Sequence, residues 1–436
     1  MLLNLMPIVI KRSLLRILVL LFLAAPLLGQ ATATQTKHVW VLRSSGEMVE
    51  YDPATFAAKS TVKLPAEAGG APQNVAVNGL GQILFAAPVT LPVGEEDVAA
   101  PHKAWIWNGK TSTTIDLAVK RESSTAGSNQ AVAEFAPAVF LSADGEHLYW
   151  FANSARRLQR EDFDLSISTT WQAWRTDLNG GAREELASVK LPDCRCPTGA
   201  CEESCPVGNW WAPEVGLGNF FLMTQFVAGK TGAVYKASTL YRDDGGKWTG
   251  TGMALADPVK RMLDASANGD VIVEAIPDTG CCGWVNESND QTVVRKNGKK
   301  LVVFDEQAAF KNPDYDVSFF TSNAKLSPGS DSVAMTITAT ATANQTIQIA
   351  ESGQANPEES KAIRKSLADL PAVEVKSLED APKRVAFVPH ASLVGWISEK
   401  ELLLVEDHLL VVYDVKTGAR KKSSVRVEDV GRVWVR

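Results

Sequence analysis

The sequence predicts an all-β fold, a single β-propeller of seven four-stranded blades with one inserted helix; six or eight blades also fit the spacing. Two observations predict it. A small turn of Asn, Asp or Gly recurs before an apolar strand, and a second hairpin signal follows each such strand. Clear copies of the turn and strand occupy residues 77–85, 142–151, 266–273, 327–335 and 398–405.

The spacing of these copies indicates further units. The interval between the second and third copies is about twice the others, and a degenerate copy at 215–223 divides it. Another unit fits at the start of the propeller, at 39–53. The last segment, 431–435, alternates like a strand and could complete the first blade, which would close the ring and remove the exposed sheet edges.

The second signal is an apolar strand that ends in a tight polar turn. Asn-Gly and Asp-Gly pairs supply the positive φ angles that hairpin turns need, and the alternating flanks fit half-buried strands. Two hairpins per unit give a four-stranded blade. These signals lie at 50–55, 105–110, 174–181, 240–246, 294–299 and 412–418.

Residues 1–33 have the features of a signal peptide. Basic residues precede the apolar stretch 17–28, and Ala31 and Ala33 form a cleavage pattern. An uncleaved membrane anchor is the alternative, but a span needs about 20 apolar residues. We therefore expect a secreted or periplasmic mature chain, 34–436, without a stable membrane span.

The charge of the mature chain argues against a nucleic-acid partner. The full chain carries a formal net charge of -6, and the leader holds positive but no negative residues. The local basic run 420–422 follows a turn and is typical of a solvated strand end.

Three segments make units longer than an ordinary blade, and we interpret them as insertions: a flexible loop at 122–136, a cysteine-rich segment at 192–211 and a helical segment at 351–380. The helix is expected to begin at Asn356, with Pro357 at its first position, and to stop at Pro371. Its apolar face, predicted to lie against the propeller, carries Ile363, Leu367 and Leu370.

The cysteines form two groups, and in a secreted chain an even count predicts disulfides. A tetrahedral metal site is the alternative, but the spacing is too compressed for two metal-binding knuckles. The adjacent pair either closes a vicinal disulfide or reaches the other group, and we favour the second pairing. The groups are Cys194, Cys196, Cys201 and Cys205, and then Cys281 and Cys282.

Three tryptophans beside these cysteines are candidate ligand-binding residues. Trp210 and Trp211 follow the first cysteine group, and Trp284 follows the second. Tryptophan on a stapled loop can stack on a sugar or anchor a partner protein. The alternative is that these rings cover the blade beneath them.

No catalytic motif appears in the sequence, so we assign no catalytic residue, no metal ligand and no cofactor. Neither a Gly-x-Ser-x-Gly elbow nor a His-Glu-x-x-His motif occurs. His147 and His408 fall in apolar runs and are expected to be core or edge histidines.

Segments 141–150 and 176–186 resemble the repeats of secreted bacterial TolB-type propellers, although Ala143 replaces the Pro of their strand opener. The resemblance implies the propeller architecture, and such propellers mostly serve as platforms for proteins, glycans or peptides. Residues 281–284 are similar, in that detail alone, to the vicinal disulfide of propeller quinoprotein dehydrogenases, whose repeated Trp-docking motif is missing.

These observations lead to two functional hypotheses. The first is a non-catalytic propeller that binds a protein or glycan through the loops bearing the cysteines and tryptophans. The second is an enzyme, either a hydrolase or a quinone-dependent oxidoreductase, that uses the central channel. Three or more acids and histidines meeting at one mouth of the channel would favour the enzyme.

Overall fold

The computed structural model describes 29 strands within one compact unit, His38–Arg436. The described residues are 37–93, 96–117, 121–122, 130–142, 144–159, 165–190, 194–196, 220–228, 233–243, 248–255, 261–266, 269–276, 291–296, 299–305, 319–339 and 367–436. Within these ranges, no helix has the length and apolar character needed to cross a membrane.

The strands of the described residues form seven separate antiparallel sheets, five of them with four strands. In spatial order the five are β29 (Val433–Val435), β1 (Val39–Leu42), β2 (Glu47–Tyr51) and β3 (Ala58–Lys63); β4 (Val75–Val77), β5 (Ile83–Val93), β6 (Glu96–Trp107) and β7 (Ser112–Asp116); β17 (Arg261–Ala265), β18 (Val271–Ile276), β19 (Gln291–Lys296) and β20 (Lys299–Asp305); β21 (Phe319–Leu326), β22 (Ser332–Ala339), β23 (Ala372–Ser377) and β24 (Lys383–Pro389); and β25 (Ser392–Trp396), β26 (Glu401–Glu406), β27 (Leu409–Asp414) and β28 (Arg420–Arg426).

The other two sheets depart from four strands. One has three, β14 (Phe220–Ala228), β15 (Ala233–Asp243) and β16 (Trp248–Leu255). The other has six, β8 (Arg121–Glu122), β9 (Gln130–Leu141), β10 (His147–Gln159), β11 (Leu165–Asp177), β12 (Glu184–Lys190) and β13 (Cys194–Cys196), the last paired with β11. Short 3-10 helices span Ala66–Gly70, Pro72–Asn74 and Val430–Arg432.

This arrangement is a β-propeller, and it confirms the predicted fold class. Six of the seven sheets consist of strands that follow one another along the chain, and the first sheet adds the last strand, β29, to β1, β2 and β3. Edge strands of successive sheets lie side by side, β17 beside β21, β21 beside β25, and β25 beside β29. The described residues contribute to seven sheets, of which one has three strands and one has six.

The first and last described strands of the propeller pair with each other, as the alternation of 431–435 predicted. β29 joins β1 in an antiparallel ladder that sets Val435 opposite Val39 and Val433 opposite Val41. At the end of the ladder, His38 N–H donates to the Arg436 carbonyl at 2.6 Å, and Arg436 N–H donates to the His38 carbonyl at 3.0 Å. The first sheet therefore contains both ends of the propeller.

The recurring turns connect neighbouring sheets as well as neighbouring strands. In the turn before β5, Asn78 Nδ2 donates to the Ser142 carbonyl at 3.4 Å, and Gln82 Nε2 donates to the Gly145 carbonyl at 3.0 Å. Both acceptors belong to the equivalent turn of the next sheet. Gly145 has a φ of 71°, a conformation that favours glycine.

The core lies between the sheets, where apolar side chains of adjacent sheets interdigitate. Leu84 of the second sheet packs in one cluster with Leu148 and Trp150 of the third. Trp40, 1% exposed, contacts the edge of Trp107 with ring centroids 5.7 Å apart. Burial of such side chains is the main stabilising term, because each removes a large apolar area from water.

Three sequence expectations need correction. Residues 130–136 were predicted to lie in the flexible loop 122–136, but they belong to β9. Within this range, residues 130–135 pair with residues 153–158 of β10. The segment 351–380 includes β23, so the insertion ends before Ala372. His408 is an exposed residue of a hairpin turn and not of a strand; both turn residues, Asp407 and His408, adopt positive φ angles without a glycine to signal it.

The predicted helix lies mostly outside the described residues. Positions 367 and 368 are helical, and Leu367 and Leu370 pack against the core cluster formed by the sheets that begin with β17 and β21. That packing agrees with the apolar face predicted for the helix, while Asn356, Pro357 and Ile363 lie outside the described residues.

Asp52 gives the hairpin turn between β2 and β3 a distinctive dependence on pH. Its carboxylate pairs with Lys59 Nζ at 3.0 Å and accepts from the Thr55 and Ala54 N–H groups, and these contacts lower its pKa from 3.8 to about 2. A lowered pKa adds stability above pH 3.8 that is lost as the pH falls toward about 2. We therefore expect Asp52→Asn to melt below the unaltered protein at pH 7, and the two melting temperatures to converge at pH 2. A difference that stays constant over this range would contradict the assignment.

Candidate functional site

A cavity of about 290 Å³ lies on the inner side of the sheets, bounded by β21, β25 and β29. One part of its wall is polar, with Ser322, Asn323, Lys325 and Arg436, and the rest is mainly apolar. β21, β25 and β29 are neighbouring edge strands of three successive sheets, and these edges face the centre of the propeller. The cavity therefore opens on the central channel. We call it the channel cavity.

Lys325 is held at the wall by the sheet before its own. Its Nζ donates to the Leu263 carbonyl at 3.1 Å and lies 3.8 Å from Asp264 Oδ1, both on β17. Asp264 Oδ2 in turn accepts from the Leu326 N–H at 2.7 Å. Burial raises the pKa of Asp264, and the ammonium of Lys325 and the Leu326 N–H oppose that rise.

Arg436 reaches the channel cavity from the end of β29. Its Nε donates to the Val77 carbonyl of β4 at 2.8 Å, and its Nη1 lies 3.5 Å from the Val435 carbonyl. Burial lowers the pKa of the guanidinium, and the negative charge of Asp264 opposes that effect. The side chain therefore bridges the first and second sheets while bringing a positive charge to the cavity.

Hydrogen bonds to β25 fix the rest of the polar wall. Asn323 Nδ2 donates to the Leu393 carbonyl at 3.0 Å, and Thr336 Oγ1 accepts from the Leu393 N–H at 2.8 Å. Trp396 Nε1 donates to the Lys325 carbonyl at 2.9 Å. Bonds between the sheets thus hold these side chains in place, as a preorganised binding wall requires.

Charged side chains are the main chemical feature of this wall. Two cationic side chains line the channel cavity, and the one carboxylate beside them among the described residues, Asp264, is committed to Lys325 and a backbone N–H. General acid–base hydrolysis of glycosides needs two carboxylates, and nucleophilic catalysis needs a nucleophile beside its base. The described wall has no pair of carboxylates, and Lys325 Nζ is bonded to the Leu263 carbonyl and paired with Asp264.

The residues predicted from the sequence as a site fall mostly outside the described ranges. This is true of Trp210, Trp211, Trp284, Cys201, Cys205, Cys281 and Cys282. Cys194 and Cys196 belong to β13, where they pair with Ile167 and Leu165 at the start of β11.

The described strands that precede the two undescribed segments end at one face of the propeller. Strands alternate in direction within each sheet, so second and fourth strands end at the same face. The fourth strand β12 leads through β13 into 197–219, and the second strand β18 leads into 277–290. We call this the hairpin face, because the long β5–β6 and β10–β11 hairpins also turn there.

Sequence reasoning missed Asp264, Lys325 and Arg436, although a signal for two of them was present. In most repeats the position two residues before the turn is apolar or aromatic, and a charge there departs from the pattern. Residues at this position are Asp264 before Ser266, Lys325 before Ser327 and Trp396 before Ser398. Arg436 lies outside the repeat and carried no signal.

A second polar cluster is part of a turn. Potential ligand atoms of Asp144, Glu146 and His147 lie within 4.8 Å of one another. Asp144 Oδ1 already accepts from the Glu146 N–H at 3.0 Å and from the Ser142 hydroxyl, and Asp144 Oδ2 lies 3.8 Å from His147 Nδ1. These contacts account for the cluster as part of the turn.

Comparison with protein families and with curated proteins gives no match for this chain. Among solved structures, the chain is similar to Pyrococcus horikoshii acylaminoacyl peptidase, with 10% identity and a TM-score of 0.41 over 87% of this chain; it spans just under half (48%) of that protein.

Two further structures match most of both chains. The β-propeller domain of the trilobed protease from Pyrococcus furiosus has 11% identity and a TM-score of 0.38, covering 88% of this chain and 90% of that one. Apo AztD from Citrobacter koseri has 10% identity and a TM-score of 0.36, covering 91% and 96%. At this distance the propeller assignment rests on the order and register of the strands in this chain.

Proposed function

We propose that this protein is a secreted or periplasmic, non-catalytic propeller of the TolB type that binds a protein or glycan at the hairpin face. The observation that supports the proposal is the position of β13 and β18: both strands end at the hairpin face, and the chain passes from them into the segments that hold Trp210, Trp211 and Trp284. The channel cavity gives the hydrolase and quinone-dependent alternatives no support, because the carboxylate beside it, Asp264, is bonded to Lys325 and to a backbone N–H.

The contact surface would be formed by Trp210, Trp211 and Trp284. The described strands before both segments, β13 and β18, end at the hairpin face, which supports one shared surface. Disulfides among the six cysteines would stiffen that surface and reduce the entropy lost on binding.

The test uses the mature chain, residues 34–436, and an array of defined oligosaccharides, with calorimetry for each oligosaccharide that binds. We expect saturable binding without turnover, and at least a tenfold loss of affinity in the Trp210→Ala/Trp211→Ala variant, because truncating an aromatic residue that anchors an interface costs about 2 kcal/mol or more. Trp150, which is 2% exposed and packs in the core between the second and third sheets, serves as the comparison through Trp150→Phe. Hydrolysis of the oligosaccharide, or affinity unchanged by loss of Trp210 and Trp211, would contradict the proposal.

A further inference from the structure

Asn-Gly pairs occur at five places in the chain, and three of them lie wholly within the described residues. Asparagine is a chemically labile residue. Glycine after it favours loss of the side-chain amide, because glycine has no side chain to hinder attack by its nitrogen. The attack closes a ring within one chain and is therefore much faster than a reaction between separate molecules. The described pairs are Asn78-Gly79, Asn108-Gly109 and Asn179-Gly180; the others are Asn268-Gly269 and Asn297-Gly298.

Hydrogen bonds hold both ends of the Asn78 side-chain amide. Its Nδ2 donates to Gln82 Oε1 at 2.7 Å and to the Ser142 carbonyl of the next sheet at 3.4 Å. Its Oδ1 accepts from the N–H groups of Leu80 and Gln82, each at 3.0 Å. The side-chain carbon can turn toward the Gly79 nitrogen only when these bonds break, so the fold protects this pair.

The side chain of Asn108 is held within its own exposed hairpin turn. Its Oδ1 accepts from the N–H groups of Lys110 at 3.0 Å and Thr111 at 2.9 Å, and from the Thr111 hydroxyl at 3.4 Å. The Asn108 N–H also donates to the Thr111 carbonyl at 3.1 Å. These bonds fix the side-chain carbon, so attack by the Gly109 nitrogen requires that the whole turn opens.

The side chain of Asn179 is exposed and has no hydrogen bond to a described residue. The bonds of this turn hold the main chain instead. Asp177 Oδ1 accepts from the N–H groups of Asn179 at 2.8 Å and Gly181 at 3.0 Å. The Gly180 N–H donates to the Asp177 carbonyl at 3.1 Å, and Gly180 is itself exposed. Opening this one bond in an exposed turn requires much less free energy than separating two sheets.

We propose that Asn179 is a site of spontaneous deamidation in the folded protein. The Gly180 nitrogen bonds to the side-chain carbon of Asn179, and the side-chain nitrogen leaves as ammonia together with the proton that the Gly180 nitrogen loses. Water then opens the resulting succinimide at either of its carbonyls, which gives aspartate or isoaspartate. Each product adds one negative charge to the turn. The reaction is independent of the function proposed for the hairpin face.

The test is peptide mapping by mass spectrometry of the mature protein, residues 34–436, after incubation at neutral and at mildly alkaline pH. We expect deamidation at Asn179 to be at least tenfold faster than at Asn78 or Asn108. The rate at Asn179 should rise with pH, because the Gly180 nitrogen must lose a proton. The same incubation in guanidinium chloride is the control. Unfolding frees all three side chains, so the tenfold difference should disappear.

A variant confirms the position. Glutamine has to close a larger ring, so Asn179→Gln should leave position 179 unmodified over the same incubation, with the rates at Asn78 and Asn108 unchanged. Equal rates at the three positions in the folded protein, a faster reaction at Asn78 or Asn108, or a difference that persists in guanidinium chloride would overturn the proposal.

Discussion

Replacing Val433 and Val435 together by Asp will prevent the propeller from folding stably. Both valines are nearly buried, at 7% and 9% exposure, and they join one cluster with Val39, Val41 and Leu403. Removing each valine from that cluster costs about 1.5–3 kcal/mol, and burying each carboxylate costs several kcal/mol more. The sum is comparable with the total stability of about 5–15 kcal/mol that folded domains have.

The matched control places the same substitution on exposed strand positions. Val302 in β20 and Val385 in β24 are 41% and 50% exposed, so Val302→Asp/Val385→Asp should change the free energy of unfolding by about 1 kcal/mol or less. Circular dichroism during urea unfolding measures both variants. Equal loss of stability in the two double variants would show that β29 does not hold the ring closed.

Gly69→Ala will destabilise the protein by about 3 kcal/mol or more, because no space exists for a β-carbon there. A Cβ at position 69 would lie 2.3 Å from the Ser44 carbonyl oxygen and 2.9 Å from the Gly46 nitrogen. Both are backbone atoms, so no side-chain rotation can relieve the overlap. The chain itself must move, and with it the Gly69 carbonyl that accepts from Arg432 Nη1 at 2.9 Å.

The neighbouring glycine provides the control. A Cβ on Gly70 would meet no atom within 4 Å, so Gly70→Ala should leave the midpoint of urea unfolding nearly unchanged. The two variants add the same methyl group at adjacent positions. If they have the same midpoint, the close approach of the 66–70 segment to Ser44 is wrong.

The sequence could predict the propeller because its signals are local. The turn at 142–147 depends on Asp144, on the Ser142 hydroxyl and on a positive φ at Gly145, all within six residues, and the strand that follows shows its own alternation. The pairing of 431–435 with the first strand was also predictable, because an unpaired edge strand in an otherwise closed array is unfavourable.

The channel cavity could not be predicted in the same way. Asp264, Lys325 and Arg436 meet only because three sheets bring their first strands together, and their separations along the chain are long. The turn at Asp407 and His408 escaped prediction for a local reason, since two residues other than glycine adopt positive φ angles there. The first part of β9, residues 130–136, was not predicted as a strand because its composition is typical of a loop. Pairing with β10 stabilises it as a strand.

Native-state hydrogen exchange of the two amides that close the ring tests the central claim most directly. His38 N–H and Arg436 N–H each donate to the carbonyl of the other residue, and they join the first and last strands of the propeller. If the ring is closed, both amides will be protected together and will exchange only with the opening of the first sheet, at a free energy shared with Val39 and Val41. Rapid exchange at either amide while β26 and β27 stay protected would contradict a closed propeller.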